Sequence, residues 1–306
     1  MSLLRRHSRW RVFYDLPTNH RKVTMSVHAD LIYDIGFHKG EDTAFYLKKG
    51  FRVVAFEAHP RLAEQGRQLF ADALGEGRFT MVEGAIVGAD SGRPGAATVN
   101  LYINESKDLW GTTQQSWVDR NARVGTASRA ITVATVDFVG CLQTHGVPHF
   151  MKIDIEGSDW YCLEALRQVA ERPDFVSIES ERTDADRAQM EIALLESLGY
   201  RSFQIVQQTR VPWQVVPNPS LEGNACTHRF SLESSGLFGA DLPAGGWVDR
   251  TEITAAYEQI FARHRAFGER SLLRRFPGMG RALWEIEKRF GVPLPGWYDT
   301  HARLGG

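Results

Sequence analysis

The chain has 306 residues, 43 % of them hydrophobic and 24 % charged, with a formal net charge of −1. That length holds one large domain or two small ones, and the composition excludes disordered, collagen-like and fibrous classes. The near-zero charge gives no general attraction to nucleic acid or to an anionic membrane.

Residues 1–30 are irregular and polar and read as a lead-in segment; the arginines of "RRHSRWR" are followed by no apolar run of the signal-peptide kind. Three widely spaced cysteines, Cys141, Cys162 and Cys226, make neither a disulfide framework nor a metal motif. No apolar stretch reaches the ~20 residues that cross a bilayer. The expectation is a cytoplasmic protein without membrane or nucleic-acid partners.

From residue 31 strand and helix patterns alternate. "LIYDI" (31–35) ends at Gly36, and "EDTAFYLKK" (41–49) has helical spacing with a Gly50 stop. "RVVAFEA" (52–58) is β-rich, and Pro60 starts the helical "RLAEQGRQLFADAL". "FTMVEGAIV" (79–87) reads as a third strand. An insertion at about 88–128, rich in Gly, Ser and Asn, reads as a long loop with one β-rich stretch; its Trp110 and Trp117 suit either packing of the loop or a sugar face. "AITVATVDFV", the buried run "HFMKIDI" (149–155), a helix at about 158–171, "DFVSIES" (174–180), a helix at about 184–198 and "RSFQIVQ" follow. Two helices are expected in a C-terminal extension, 249–306, beyond a main domain at 31–248.

Alternating strands and helices predict a doubly wound α/β sheet, in which ligands lie beyond the carboxyl ends of the strands. The first exit, "DIGFHKG", lacks the dinucleotide pattern G-x-G-x-x-G and carries Asp34, which would repel a pyrophosphate. A carboxylate there suits a cationic ligand, and S-adenosylmethionine carries an ammonium and a sulfonium. Glu57, at the second exit, suits a ribose diol. At the third exit, "EGAIVG" places Glu83 to Ile86, with Gly84 and Ala85 at its centre, beside an adenine ring. At the fourth, "KIDIEGSD", Asp154 and Glu156 stand two apart, on one side of an extended strand, and are candidates to position the acceptor or take its proton. His38 is a third candidate base; the structural reading is the commoner one for His38 and His59 alike. Glu179 and Glu181 at the fifth exit would complete, with Asp154, an oxygen-ligand site for a divalent metal, a reading that is not favoured.

"YDIGFHKGEDTAFYLKKGFRVVAFEAHP", "ITVATVDF" and "MKIDIEGSDWYCLEAL" together resemble the FkbM-type S-adenosylmethionine-dependent methyltransferases, over about residues 30–205. "SSGLFGADLPAGGW" (234–247) is similar to a stretch further along such proteins. The resemblance implies a class I methyltransferase fold: a Rossmann-like seven-stranded sheet closed by one antiparallel strand. It implies O-methylation of a small-molecule, sugar or polyketide-like hydroxyl. Asp34, Gly36, His38, Gly40 and Thr43 would then line the methionine part, Glu57 and Ala58 the ribose, Gly84 and Ala85 the adenine, and Asp154 with Glu156 the methyl-transfer face. Phe37-His38 departs from the small residue and Asn of many relatives. The competing readings are an NAD-type oxidoreductase and a non-catalytic nucleoside-binding module. A nucleic-acid methyltransferase would show an Asn/Asp-Pro-Pro-aromatic motif where this chain has "DIEG".

Overall fold

The computed structural model describes residues 25–88, 97–104, 111–113, 128–155, 157–180, 185–267 and 296–305, with isolated positions between 278 and 289. The strands among these are β1 (Val27–Ile35), β2 (Arg52–Glu57), β3 (Phe79–Glu83), β4 (Thr98–Asn104), β5 (Gly111–Thr112), β6 (Ser128–Ala134), β7 (Val147–Ile153), β8 (Phe175–Glu179), β9 (Tyr200–Gln207) and β10 (Tyr298–Leu304). The helices are α1 (Glu41–Lys48), α2 (Pro60–Leu69), α3 (Ala71–Gly75), α4 (Phe138–His145), α5 (Asp159–Ala165), α6 (Ala185–Ser197) and α7 (Arg250–Phe267).

Seven strands form the main sheet in the order β3-β2-β1-β7-β8-β10-β9. β1, β2, β3, β7 and β8 run parallel, and β10 is antiparallel to both β8 and β9. This is the expected doubly wound, Rossmann-like arrangement with one antiparallel strand. The central strands read as continuous apolar runs because both faces are covered. On one face, Leu31, Tyr33, Ile35, Val176 and Ile178 pack against α4, α5, α6 and α7 through Leu142, Leu163, Leu195 and Tyr257. On the other, Ile32, Phe150 and Phe79 pack against α1 and an irregular excursion after β9, through Phe45, Val211 and Phe238.

Two parts of the chain differ from expectation. The insertion read as a long loop carries a second, antiparallel sheet, β5-β4-β6, which takes in "AITVA" as its β6. Leu101, Ile103 and Val133 of that sheet cluster with Ala85, so burying one apolar face on the exit of β3 holds it in place. Secondly, β10 lies within the span read as a helical extension. Helix α7 matches the first helix expected there, while most of the second, 280–290, lies outside the described residues, as do Trp110 and Trp117. Among the described residues, no helix is long and apolar enough to cross a membrane.

Candidate active site

The exits of β1 and β7 and the start of the antiparallel β10 meet the start of α1 at one buried charge cluster. Asp34, the penultimate residue of β1, lies fully buried beside Lys152 of β7, its register neighbour. Lys152 Nζ stands 3.4 Å from Asp34 Oδ1, 3.7 Å from Asp42 Oδ2 and 3.9 Å from Asp154 Oδ2, and donates a 2.8 Å hydrogen bond to the carbonyl of Gly36. Thr43 donates its hydroxyl to Asp34 Oδ2 at 2.6 Å, and Ser235 donates its amide and its hydroxyl to Asp42 at 2.8 and 2.7 Å. Burial draws the Lys152 ammonium down, but Asp34, Asp154, Asp42 and Asp299 outweigh it and hold its pKa well above the usual lysine range. Burial pushes the Asp42 carboxyl up to about 6 against the pull of Lys152. Asp299, on β10, is pushed well above its ordinary value by burial and then by the Asp154 charge.

What meets the carboxylate of Asp34 is therefore, in the first instance, a lysine of this chain. Sequence reading quoted that lysine in "KIDIEG" and gave it no role. Its signal was a charged residue inside an apolar run on a strand buried on both faces, where an unpaired cation is untenable.

The turn after β1 explains its glycines. Gly36 has φ +91°, and a Cβ there would fall 1.9 Å from the carbonyl oxygen of Asp154. The two exits thus touch backbone to backbone, and only glycine fits. Gly40, at φ +86°, caps α1 with Phe37 and Phe70 against it. His38 sits between them with φ +56° and its ring 3.7 Å from Glu41.

Glu57 closes β2. Its Oε2 accepts the amide of His38 at 2.9 Å and its Oε1 the amide of His59 at 2.7 Å, so both oxygens are fixed in place. Burial raises its pKa against those two amides. Ala58 packs beside the inserted sheet. Gly84 and Ala85, at the β3 exit, are held by that insertion: the Ala85 amide donates to the Ala134 carbonyl at 2.8 Å, and the Val136 amide to the Ala85 carbonyl at 2.9 Å.

β7 ends at Ile153, and the chain then bends, with Asp159 accepting the amides of Ile155 and Gly157 at 3.1 and 3.2 Å. The alternation that would put Asp154 and Glu156 on one side therefore stops before Asp154. Asp154 itself is exposed; Glu156 and Glu181 lie outside the described residues. Glu179 ends β8 opposite Asp299. Among the described residues, no group of three or more His, Cys, Asp or Glu side chains is arranged to hold a metal ion. Asp42 and Asp299 are the further acids that sequence reading missed: one lies inside the stretch read only for its helical spacing, and the other lies in the span read as a helical extension.

A family model described as the methyltransferase FkbM domain matches residues 34–202. No curated protein matches the chain. Among solved structures, an FkbM methyltransferase from Methylobacillus flagellatus KT is 17 % identical with a TM-score of 0.33, over 56 % of this chain and 38 % of that one. Precorrin-6y C5,15-methyltransferase from Geobacter metallireducens GS-15 is 14 % identical with a TM-score of 0.31, over 61 % of this chain and 71 % of that one. A SAM-dependent methyltransferase from Thiobacillus denitrificans, in complex with S-adenosyl-L-homocysteine, is 11 % identical with a TM-score of 0.32, over 90 % of this chain and 85 % of that one. Likenesses this low carry no argument about function; the family match, which spans more than half of the chain, does. The protein belongs to the FkbM methyltransferase family.

Proposed function

We propose that this methyltransferase moves a methyl group from S-adenosylmethionine to a hydroxyl of a small-molecule, sugar or polyketide-like acceptor. The observation that carries the reading is the charge count at the strand exits: Asp34, Asp42, Asp154 and Asp299 all act on the single ammonium of Lys152. Such a site favours a ligand that brings positive charge, and the ammonium and sulfonium of the donor do so. The residues present fit the donor on a second count. Glu57 has both oxygens oriented by amides at the end of β2, where a ribose diol would meet them.

In this reading Gly36, His38 and Gly40 line the methionine part, Glu57 and Ala58 the ribose, and Gly84 and Ala85 the adenine. Asp34 and Thr43, both fully buried, contribute charge and a hydroxyl from beneath the turn rather than by contact. When bound, the donor supplies an electrophilic methyl group on sulfur. The chain orients the acceptor hydroxyl and takes its proton, for which Asp154, Glu156 and His38 are the candidates from the first and fourth exits. No metal is needed in this scheme, and the grouping of Asp154, Glu179 and Glu181 is not used.

Calorimetric titration with S-adenosylmethionine and S-adenosylhomocysteine, with NADH as control, tests the donor. Micromolar binding, about −8 kcal/mol, is expected for the wild type. Glu57→Ala should lose two hydrogen bonds to a charged group and bind more weakly by roughly 100-fold or more. Absence of binding by the folded wild type overturns the reading. Labelled-methyl transfer to paired alcohol and amine acceptors then decides between O- and N-methylation.

A further inference from the structure

A row of buried polar side chains crosses the main sheet just inside the strand exits. Register pairs Asp34 with Lys152, Lys152 with Ser177, Ser177 with His301, and His301 with Gln204. Directly paired residues share a face, so the five stand side by side. Each is at most 7 % exposed.

The two ends of the row differ. Lys152 has the partners described above, and Asp34 Oδ1, though without a hydrogen bond, has the Lys152 ammonium 3.4 Å away. On the far side, Ser177 Oγ, both ring nitrogens of His301 and Gln204 Oε1 are buried without a hydrogen-bond partner among the described residues. Apolar and backbone groups border them. The ring of Phe150 lies parallel to His301, with centroids 6.3 Å apart, and Gly246 is so close to Gln204 that a Cβ there would fall 2.4 Å from its Nε2. Four orphan polar atoms on three adjacent strands are not a scatter of defects. Native proteins satisfy nearly all such atoms, with ordered water where protein groups do not reach.

The chemistry of the missing partner follows from the atoms. Burial draws the His301 pKa down to about 3, so the imidazole is neutral, with one nitrogen donating and the other accepting. The Ser177 hydroxyl both donates and accepts, and Gln204 Oε1 only accepts. The complement must be uncharged and able to donate and accept at once, which describes an O–H group. We propose that Ser177, His301 and Gln204 form an internal binding site for O–H groups on the β8-β10-β9 side of the sheet. The site lies one row beneath Asp299, two residues along the same strand. Water and a hydroxyl of a polyol share this chemistry; the inference does not depend on the identity of the methyl donor.

Two experiments on the whole chain test it. In wild-type protein with isotope-labelled histidine, the His301 ring should show magnetisation transfer from water if ordered water fills the site. If polyol hydroxyls enter, excess xylitol should shift the ring signals saturably and displace the water signal. The absence of both responses overturns the proposal. The second experiment compares melting temperatures of Ser177→Ala, Gln204→Met, His301→Leu and the triple variant. A filled site predicts that each single change lowers the melting temperature, by leaving the bound O–H group and its remaining partners incomplete, and that the triple variant recovers much of the loss. Single variants that all melt higher than wild type would mean a dry, frustrated row and would overturn it. If the triple variant does not fold, the wild-type ring signals still decide.

Discussion

A lysine with 6 % of its side chain exposed stays charged only because carboxylates surround it. Lys152→Met leaves Asp34 and Asp42 buried without their cation, and breaking a buried pair in this way costs about 3–5 kcal/mol. The cost is pH-dependent. The Asp42 carboxyl, pushed up to about 6 in the fold from an ordinary 3.8, takes up protons that the unfolded chain does not. Its contribution to stability is complete below the ordinary value and is lost as pH rises through the folded one. Without Lys152 the Asp42 carboxyl retains its proton to higher pH still. Urea unfolding should therefore show the full deficit at about pH 8 and a smaller one at about pH 5. An equal deficit at both would mean that the cluster is not electrostatically coupled. At this scale the sequence was partly legible: Asp34, Gly36 and Glu57 stood out by position after a strand. Lys152 and Asp299 did not, because their roles come from register with strands far away in the chain.

The excursion after β9 is fixed to the sheet by polar clamps instead of by periodic packing, which is why no helix or strand pattern marked it. Lys49 of the turn after α1 pairs with Asp241 at 2.7 Å with neither side chain exposed, and Ser220 joins both. A second clamp lies at the opposite end of β7 from the charge cluster. His149 Nδ1 meets Asp174 at 2.7 Å and its Nε2 meets Glu222 at 2.8 Å, with the ring parallel to Phe51. Burial draws the His149 pKa down, but Glu222 and then Asp174 outweigh it, so the imidazolium is favoured and donates to both carboxylates. A histidine with a raised folded pKa adds stability that is fully present below its ordinary value of about 6.5 and lost as pH climbs through the folded value. His149→Gln should therefore melt well below wild type at about pH 6, with the gap narrowing towards about pH 9. A gap independent of pH would show that the ring contributes only by packing. Helices and strands with clear apolar periods were legible at this scale, although the helix expected at about 158–171 ends as α5 at Ala165 and α4 was not read as a helix. The inserted sheet was not, because its strands pair with one another across segments that read as polar loop.

For the whole molecule, the element hardest to see in the sequence is the one that joins the sheet's far edge to its centre. "YDTHARL" shows no clean alternation, because one face of β10 carries Asp299 and His301 into a buried polar row while Tyr298, Thr300 and Ala302 enter the opposite core. Polar residues on a buried face remove the contrast from which strand periodicity is read. Yet β10 pairs with β8 on one side and with β9 on the other, and among the described residues it is the only strand beside β9 in that sheet. It also carries Thr300 into hydrogen bonds with Ser180 and with Tyr257 of α7. Deleting it exposes two strand edges at once, leaves β9 without a ladder and strips α7 of a polar anchor. A chain ending before Tyr298 is therefore expected to lose its cooperative unfolding transition, with retained far-ultraviolet and weakened near-ultraviolet circular dichroism. A truncated chain that unfolds in one sharp step near the wild-type midpoint would mean that the first five strands and their helices form the stable unit by themselves. The dependence on β10 follows from where the strand sits: it is the last of the described strands in sequence, but it lies between two others in the sheet.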